Sequence, residues 1–400
     1  MIRKLTLIIL LFSLPSLAQN KLCYSVYAAK SKLVLKNSKG RQREEFSTQV
    51  SMTGFKSDLL EVEIPAGMGS DLQIELYGDS STRYLISSVF LSDGKILVSD
   101  SPEGIVTTNF VKLEDLGAIG PFDDPSSAFA YNSAIRSLPG FEPGTNSLLI
   151  PARHFDSKKA QKMYIQFRSD KSTEQHKIET KIVARKTIKK NESTEVSLNV
   201  FIAEGINLPE ASLPLQELVN RLNYIYSSAR IQFKIGFYKR IDKKFRDLTL
   251  SNNTAKLFSE VSADAPIGLN LVFSSSISDS YGCLSGLCKD MPGASSVQGL
   301  KSTGILLAIS SLPNLLDSQQ ISYWVVELGN NLAHEVGHFF GLNHTFESTS
   351  EKLVDVIADT PETESSNLMN PYPVRNEILS LSPTQIRDVL SHPLVVPKAK

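Results

Sequence analysis

The sequence predicts a multi-domain chain of two unlike parts, an N-terminal all-β sandwich followed by an α+β domain assembled around one long helix. Three observations predict it. Residues up to about 185 alternate apolar and polar positions; past residue 196, strand-like and helix-like periodicities follow one another; a polar, Lys-rich stretch separates the two. The expected boundaries are a leader at 1–18, a β domain at 19–185, a linker at 186–196 and the α+β domain at 197–400. Four hundred residues, 41% hydrophobic and 21% charged, give room for two cores of ordinary size. The 42 basic side chains balance 42 acidic ones, so the formal charge is zero and nothing points to nucleic acid as a partner.

The chain begins with Arg3 and Lys4, continues with an apolar run from Leu5 to Leu14, and reaches small residues Ser16 and Ala18 before Gln19. That order predicts a secretory signal peptide cut after Ala18, with an extracellular or periplasmic destination. The apolar run is too short for a stable membrane anchor. Export exposes cysteines to oxidising conditions, and Cys283 and Cys288 in YGCLSGLCKD are close enough to be expected to form a disulfide. Cys23 is then left over, as a free or intermolecular thiol or as a thiolate that caps a metal in a latent form.

In the β domain, Leu60, Val62 and Ile64 alternate with Glu61 and Glu63, and Leu72, Ile74 and Leu76 alternate with Gln73 and Glu75. Two β-rich runs around Asp93 and Gly94 read as a hairpin. His154 and His176 stand alone and are read as ordinary hydrogen-bonded or surface residues. Asp123 and Asp124 offer oxygen ligands of the type Ca²⁺ takes, and nothing else supports calcium. The domain is similar to accessory β-sandwiches on bacterial secreted peptidases, which implies a pro-domain, a targeting module or a permanent accessory. At the boundary, Arg185, Lys186, Lys189 and Lys190 suit cleavage by a trypsin-like peptidase or by the enzyme itself, or a simple solvated spacer.

The second domain opens with a buried strand at 197–206, a helix with Leu215, Leu218, Leu222 and Ile225 on one face, strands at 231–241 and 267–276, and a short helix at 254–261 between them. A strand at 304–311 leads to a long helix expected to start near Ile321, along which Tyr323, Trp324 and Val325 read as packing residues. Ser382, Pro383 and Gln385 form a capping box for a closing helix.

The long helix ends in HEVGHFFGLNHTFE. His334 and His338 are four apart and share a helical face, so two imidazoles can address one ion. Glu335 projects beside them as a general base. Gly341 is the residue type that ends a helix in a left-handed conformation, returning the chain so that His344 adds a third nitrogen. Three imidazoles leave one tetrahedral position of Zn²⁺ open, the layout of a catalytic site. A chance match to all five positions is on the order of one in 10⁵, so the pattern is read as chemistry.

The HExxHxxGxxH pattern resembles the signature of the metzincin zinc metallopeptidases. NLMNP at 367–371 resembles their methionine turn, with Met369 as an apolar floor beneath the imidazoles. The string GLNHTFE, with Asp359, Thr360 and Pro361 downstream, is most similar to the pappalysin branch and its bacterial relatives. The resemblance implies a twisted sheet with a backing helix, a peptide-holding rim and edge strand at 291–300, and peptide or protein substrates. Many metzincins place a tyrosine two residues after the methionine; here that position is Pro371, and Tyr372 follows as the candidate oxyanion tyrosine. The function expected is zinc-dependent endopeptidase, with Glu335 taking a proton from a zinc-activated water; the alternative is a catalytically silent secreted zinc-binding or adhesion protein.

Overall fold

The computed structural model describes residues 31–36, 42–99, 143–189, 191–250, 254–278, 283–288, 291–309, 317–345, 357, 359–360, 365–371 and 379–398. The leader, Cys23, Asp123, Asp124 and Tyr372 lie outside these residues.

Eight strands make up the N-terminal part: β1 (Ser31–Val34), β2 (Arg43–Ser57), β3 (Leu60–Ile64), β4 (Ser70–Tyr77), β5 (Tyr84–Leu91), β6 (Ile96–Ser99), β7 (Thr145–Ile150) and β8 (Gln161–Lys186). They join in one sheet strung on β8, whose first half pairs with β3 and β5 and whose second half lies between β2 and β4. The expected β-rich character is therefore seen, in strands that belong to one sheet. Because β8 changes partners midway, residues from both halves, among them Val62, Ile74, Ile86, Ile165 and Ile182, bury into a common core. The hairpin read around Asp93 and Gly94 joins β5 to β6.

The Lys-rich stretch read as a boundary is strand as far as Lys186, and the next strand begins at Thr194. Composition misled there because Ile178, Ile182, Val183 and Ala184 bury their side chains between exposed polar neighbours. Arg185, read as a protease-sensitive base, is 1% exposed and bonds Asp71 at 2.6 Å.

The second sheet contains β9 (Thr194–Ala203), β10 (Ile231–Ile241), β12 (Leu269–Ser274), β15 (Gly286–Cys288), β16 (Gly304–Ala308) and β17 (Val396–Pro397), in the order β10-β9-β12-β16-β15 with β17 on β9. β10, β9, β12 and β16 are parallel, and β15 closes the edge antiparallel to β16. A small sheet combines β11 (Asp247–Thr249), β13 (Ser276–Ser278) and β14 (Cys283–Leu284). Helices are α1 (Leu213–Ile225), α2 (Thr254–Val261), α3 (Ser318–Phe339) and α4 (Pro383–Val389). Parallel strands need both faces covered, and the six residues of β12 are all buried. On α1, Leu215, Leu218, Leu222 and Ile225 face the core, as their spacing requires. Two polar links fix α1 to α3: Arg221 donates to Asn330 Oδ1 at 2.8 and 3.0 Å, and Tyr226 Oη–H donates to the Ala333 carbonyl at 3.0 Å.

Candidate metal centre and active site

α3 starts at Ser318, before the expected Ile321, because the Asp317 carboxylate accepts from the backbone N–H of Gln319 and Gln320. Its first half is partly exposed; Tyr323, expected to pack, is 60% exposed, while Trp324 is half-buried against the core. From Leu332 to Phe340 every residue is buried. The helix ends at Gly341, whose φ of 96° is left-handed. The Gly341 N–H donates to His338 O at 2.8 Å and the Leu342 N–H to Gly337 O at 3.0 Å, the paired bonds that close a helix and reverse the chain.

That reversal brings His344 back to the helix. Its Nε2 lies 3.1 Å from Nε2 of both His334 and His338. His334 Nδ1 is 2.8 Å from the Leu368 carbonyl, and His338 Nδ1 is 2.8 Å from the Leu342 carbonyl. A carbonyl only accepts, so each Nδ1 carries the hydrogen and each Nε2 turns a bare lone pair inward. Burial pushes the His334 imidazole down to about 4, helped by neighbouring His344, and holds His338 well below its usual value, with His334 and His344 adding to the effect. Both rings are therefore neutral at neutral pH, the state in which imidazole ligates metal.

With His344 in the tautomer that bares its Nε2, three lone pairs this close need a cation between them. Ligands about 2.0–2.1 Å from a tetrahedral Zn²⁺ stand about 3.3 Å apart, so the donor set fits zinc. Among the described residues this is the only group of three metal-binding side chains brought together. His154 and His176 stand elsewhere, with the His176 ring 3.4 Å from Tyr84 Oη.

Glu335 is 9% exposed and projects toward β15, where its Oε2 accepts from the Cys288 N–H at 2.7 Å. Burial raises its carboxyl to about 7, opposed by that N–H and by His344. Met369 is fully buried against the helix at Gly337. A Cβ on Gly337 would stand 2.3 Å from the Met369 sulfur, so only glycine lets the thioether this close between the two helical ligands. The methionine loop is tied to the closing helix. Ser382 and Gln385 form the expected capping box, and the Gln385 amide exchanges two hydrogen bonds of 3.1 Å with Asn367. Asn367 Oδ1 in turn accepts from the Met369 N–H at 2.9 Å.

Several expectations are corrected. Cys283 and Cys288 are not bridged: Cys283 pairs with Ser278 in the small sheet and Cys288 with Ile305 in the main one, so the two residues belong to different sheets. The edge strand is β15 at 286–288, whereas 291–300 forms an irregular loop. Asp359 accepts from Ser382 Oγ and the Thr384 N–H, capping α4. Gly337 was missed, although a glycine inside the helical motif was a visible signal. The Cys288 amide and the carbonyls of Leu342 and Leu368 are backbone groups and left no signal.

Residues 200–378 match the family model described as Metallo-peptidase family M12 (Reprolysin_5). Over that span the C-terminal half is similar to metallopeptidase domains. Similar curated proteins include an extracellular metalloprotease of Pyricularia oryzae, 28% identical over 159 residues, covering 38% of this chain and 50% of that one. One of Arthroderma benhamiae is 27% identical over 156 residues, covering 39% and 53%. The chain thus spans about half the length of the curated relatives it matches. Among solved structures, archaemetzincin from Methanopyrus kandleri covers 52% of this chain and 98% of its own at 13% identity, with a TM-score of 0.30, too loose an overlay to carry more. These matches reach the metzincin-like metallopeptidases without singling out the pappalysin branch.

Proposed function

We propose that the chain is an exported zinc-dependent endopeptidase whose metallopeptidase domain hydrolyses peptide bonds with Glu335 as general base. The observation that carries this reading is the convergence of three imidazole Nε2 atoms with a buried carboxylate beside the first of them on the same helix. His334, His338 and His344 would hold the ion, and Zn²⁺ there supplies Lewis acidity and an acidified water. Glu335 takes the proton of the attacking water on a carboxylate oxygen and passes it to the leaving amine. The Cys288 N–H holds the other end of that motion, fixing the carboxylate toward the cleft. β15 is the outermost strand on its side of the sheet, and an outermost strand offers backbone groups to an extended peptide. Met369 and Gly341 support the ligands, and Tyr372 remains the candidate to steady the oxyanion. The GLNHTFE string favours the pappalysin branch.

Export is supported by the Arg3-to-Ala18 leader pattern and by relatives named extracellular. No helix among the described residues is long and apolar enough to cross a membrane. The test is Glu335→Gln in the full chain, with zinc content and casein digestion measured together. Zinc should be retained and turnover should drop by about 10²–10⁴-fold, the usual contribution of a positioned base. A variant as active as its parent overturns the assignment of Glu335, and a zinc-loaded parent with no hydrolysis leaves the silent zinc-binding reading.

A further inference from the structure

The segment 292–296, which the sequence placed at the substrate rim, is covered by the chain's own N-terminal sheet. On β4 and its neighbours, Leu72, Ile74, Leu76, Leu148 and Ile182 point into the β core, so Gln73, Glu75 and Ser147 turn to the opposite face. That face meets the metallopeptidase domain. Glu75, fully buried, accepts from the Ser295 N–H and Oγ–H at 2.7 Å, from the Ser296 N–H at 3.3 Å and from the Ser296 hydroxyl. Gln73 Nε2 donates to Gly293 O at 2.7 Å, Ser147 Oγ to Pro292 O, and Arg43 to Ser295 O at 2.6 Å. Behind them, Arg185 reaches from Asp71 to the Leu390 carbonyl, and Arg153 pairs with Asp388 at 2.5 Å.

An irregular loop has no ladder to satisfy its backbone, and this one depends on side chains of another domain for several of its buried N–H and C=O groups. It is also joined to the site. The Gly293 N–H donates to Phe339 O at 2.8 Å, capping a carbonyl at the end of α3 next to His338, and Gly293 O also lies 3.2 Å from His392 Nε2. The same loop follows β15, whose Cys288 N–H holds Glu335.

We propose that the N-terminal sheet is a permanent wall of the peptidase, with Glu75 a positioning residue that sets loop 292–296 and so the end of the helix carrying Glu335 and His338. This rests on the peptidase reading above. A removable pro-domain would have to give up these bonds and leave the loop's backbone unpaired. The contacts fall on the 292–296 loop and on α4 and its C-terminal end, and none is made to His334, Glu335, His338 or His344.

The test has two arms on the full chain. In the first, a site for a sequence-specific protease is inserted after Lys189 and the folded protein is nicked. The halves should co-elute, and activity per zinc should be unchanged; separation on nicking, or a rise in activity, overturns the proposal. In the second, Glu75→Gln is compared with Glu179→Gln, a control at an exposed position on β8. Glu75→Gln should lower kcat by about 10–100-fold, the scale of a lost supporting bond behind a metal ligand, with KM and zinc content unchanged. Hydrogen exchange at the Ser295 and Ser296 amides should speed up in Glu75→Gln alone. Parental kcat together with parental exchange overturns the role of Glu75. Co-elution and exchange are read without substrate, so an inactive parent would refute the peptidase reading while these two readouts still decided the inference.

Discussion

The two halves of α3 obey different constraints. From Ser318 to Glu327 the helix is held by an N-cap and one buried edge, with Tyr323 and Glu327 open to solvent. From Leu332 to Phe340 it is enclosed by α1, β15, the methionine loop and the 292–296 loop, and it carries the proposed base and two of the three proposed ligands. The outer half needs only helical propensity and an apolar stripe. In the inner half each side chain must also match something brought from elsewhere in the chain, so equal substitutions should have unequal effects.

The largest contrast is between His338→Ala and Tyr323→Ala. Loss of one of three ligands should abolish stoichiometric zinc and reduce hydrolysis by on the order of 10³-fold or more, comparable to losing a main electrophile. Tyr323→Ala should shift stability by about 0.5 kcal/mol or less, as solvent-facing substitutions do. Metal analysis, peptide turnover and melting of both variants check the pair. Tyr323→Ala losing zinc would break the division between the halves.

Two glycines on the same helix sharpen the comparison. A Cβ on Gly337 would meet the buried Met369 sulfur at 2.3 Å, whereas one on Gly329 would meet Arg221 Cγ at 2.7 Å. The half-buried arginine can give way at the expense of its hydrogen bonds to Asn330, whereas the enclosed methionine has nowhere to go. Gly337→Ala should cost about 1–3 kcal/mol, the usual penalty of overpacking, and weaken zinc retention as the floor beneath the ligands shifts. Alanine favours helix over glycine by about 1 kcal/mol at both positions, so Gly329→Ala should cost less because its clash is the milder one. Denaturant titration of both, with zinc affinity by chelator competition, measures the difference; equal losses would mean the floor does not constrain the helix.

What could be read from the sequence follows the same division. His334, Glu335, His338, Gly341 and His344 are contiguous and lie on one helix and its reversal, so local geometry sufficed to place them. The capping box at Ser382 and the apolar face of α1 were legible for the same reason. Other features needed tertiary contacts. Arg185 looked like a linker base because nothing near it in sequence announces Asp71 and the Leu390 carbonyl. Segment 291–300 looked like an edge strand because its partners on β4 lie more than two hundred residues away. The Cys283 and Cys288 pairing failed because spacing along the chain said nothing about the two sheets that claim them.

The smallest expected effect lies at the end of the inner half, where His392 packs against Phe339 and Phe340 at ring distances of 5.2 and 5.1 Å. The Leu394 N–H donates to its Nδ1 at 3.3 Å, so Nε2 carries the hydrogen toward Gly293 O, and the ring is neutral. Burial lowers its pKa to about 3 from an ordinary 6.5; the Gly293 bond opposes this, and the charges of Arg185 and Arg43 add to it. Below pH 6.5 the unfolded chain takes up a proton that the folded ring refuses, so this group's contribution to stability falls as pH drops toward 3. At pH 5 the loss is roughly 2 kcal/mol relative to neutrality, from about 1.4 kcal/mol per pH unit. His392→Asn removes the titrating group and leaves His334 and His338 unchanged. Urea unfolding of parent and variant at pH 7 and pH 5 should therefore give a shallower acid decline in the variant. Parallel declines would show that His392 is protonated in the folded protein at pH 5, despite the two rings that enclose it.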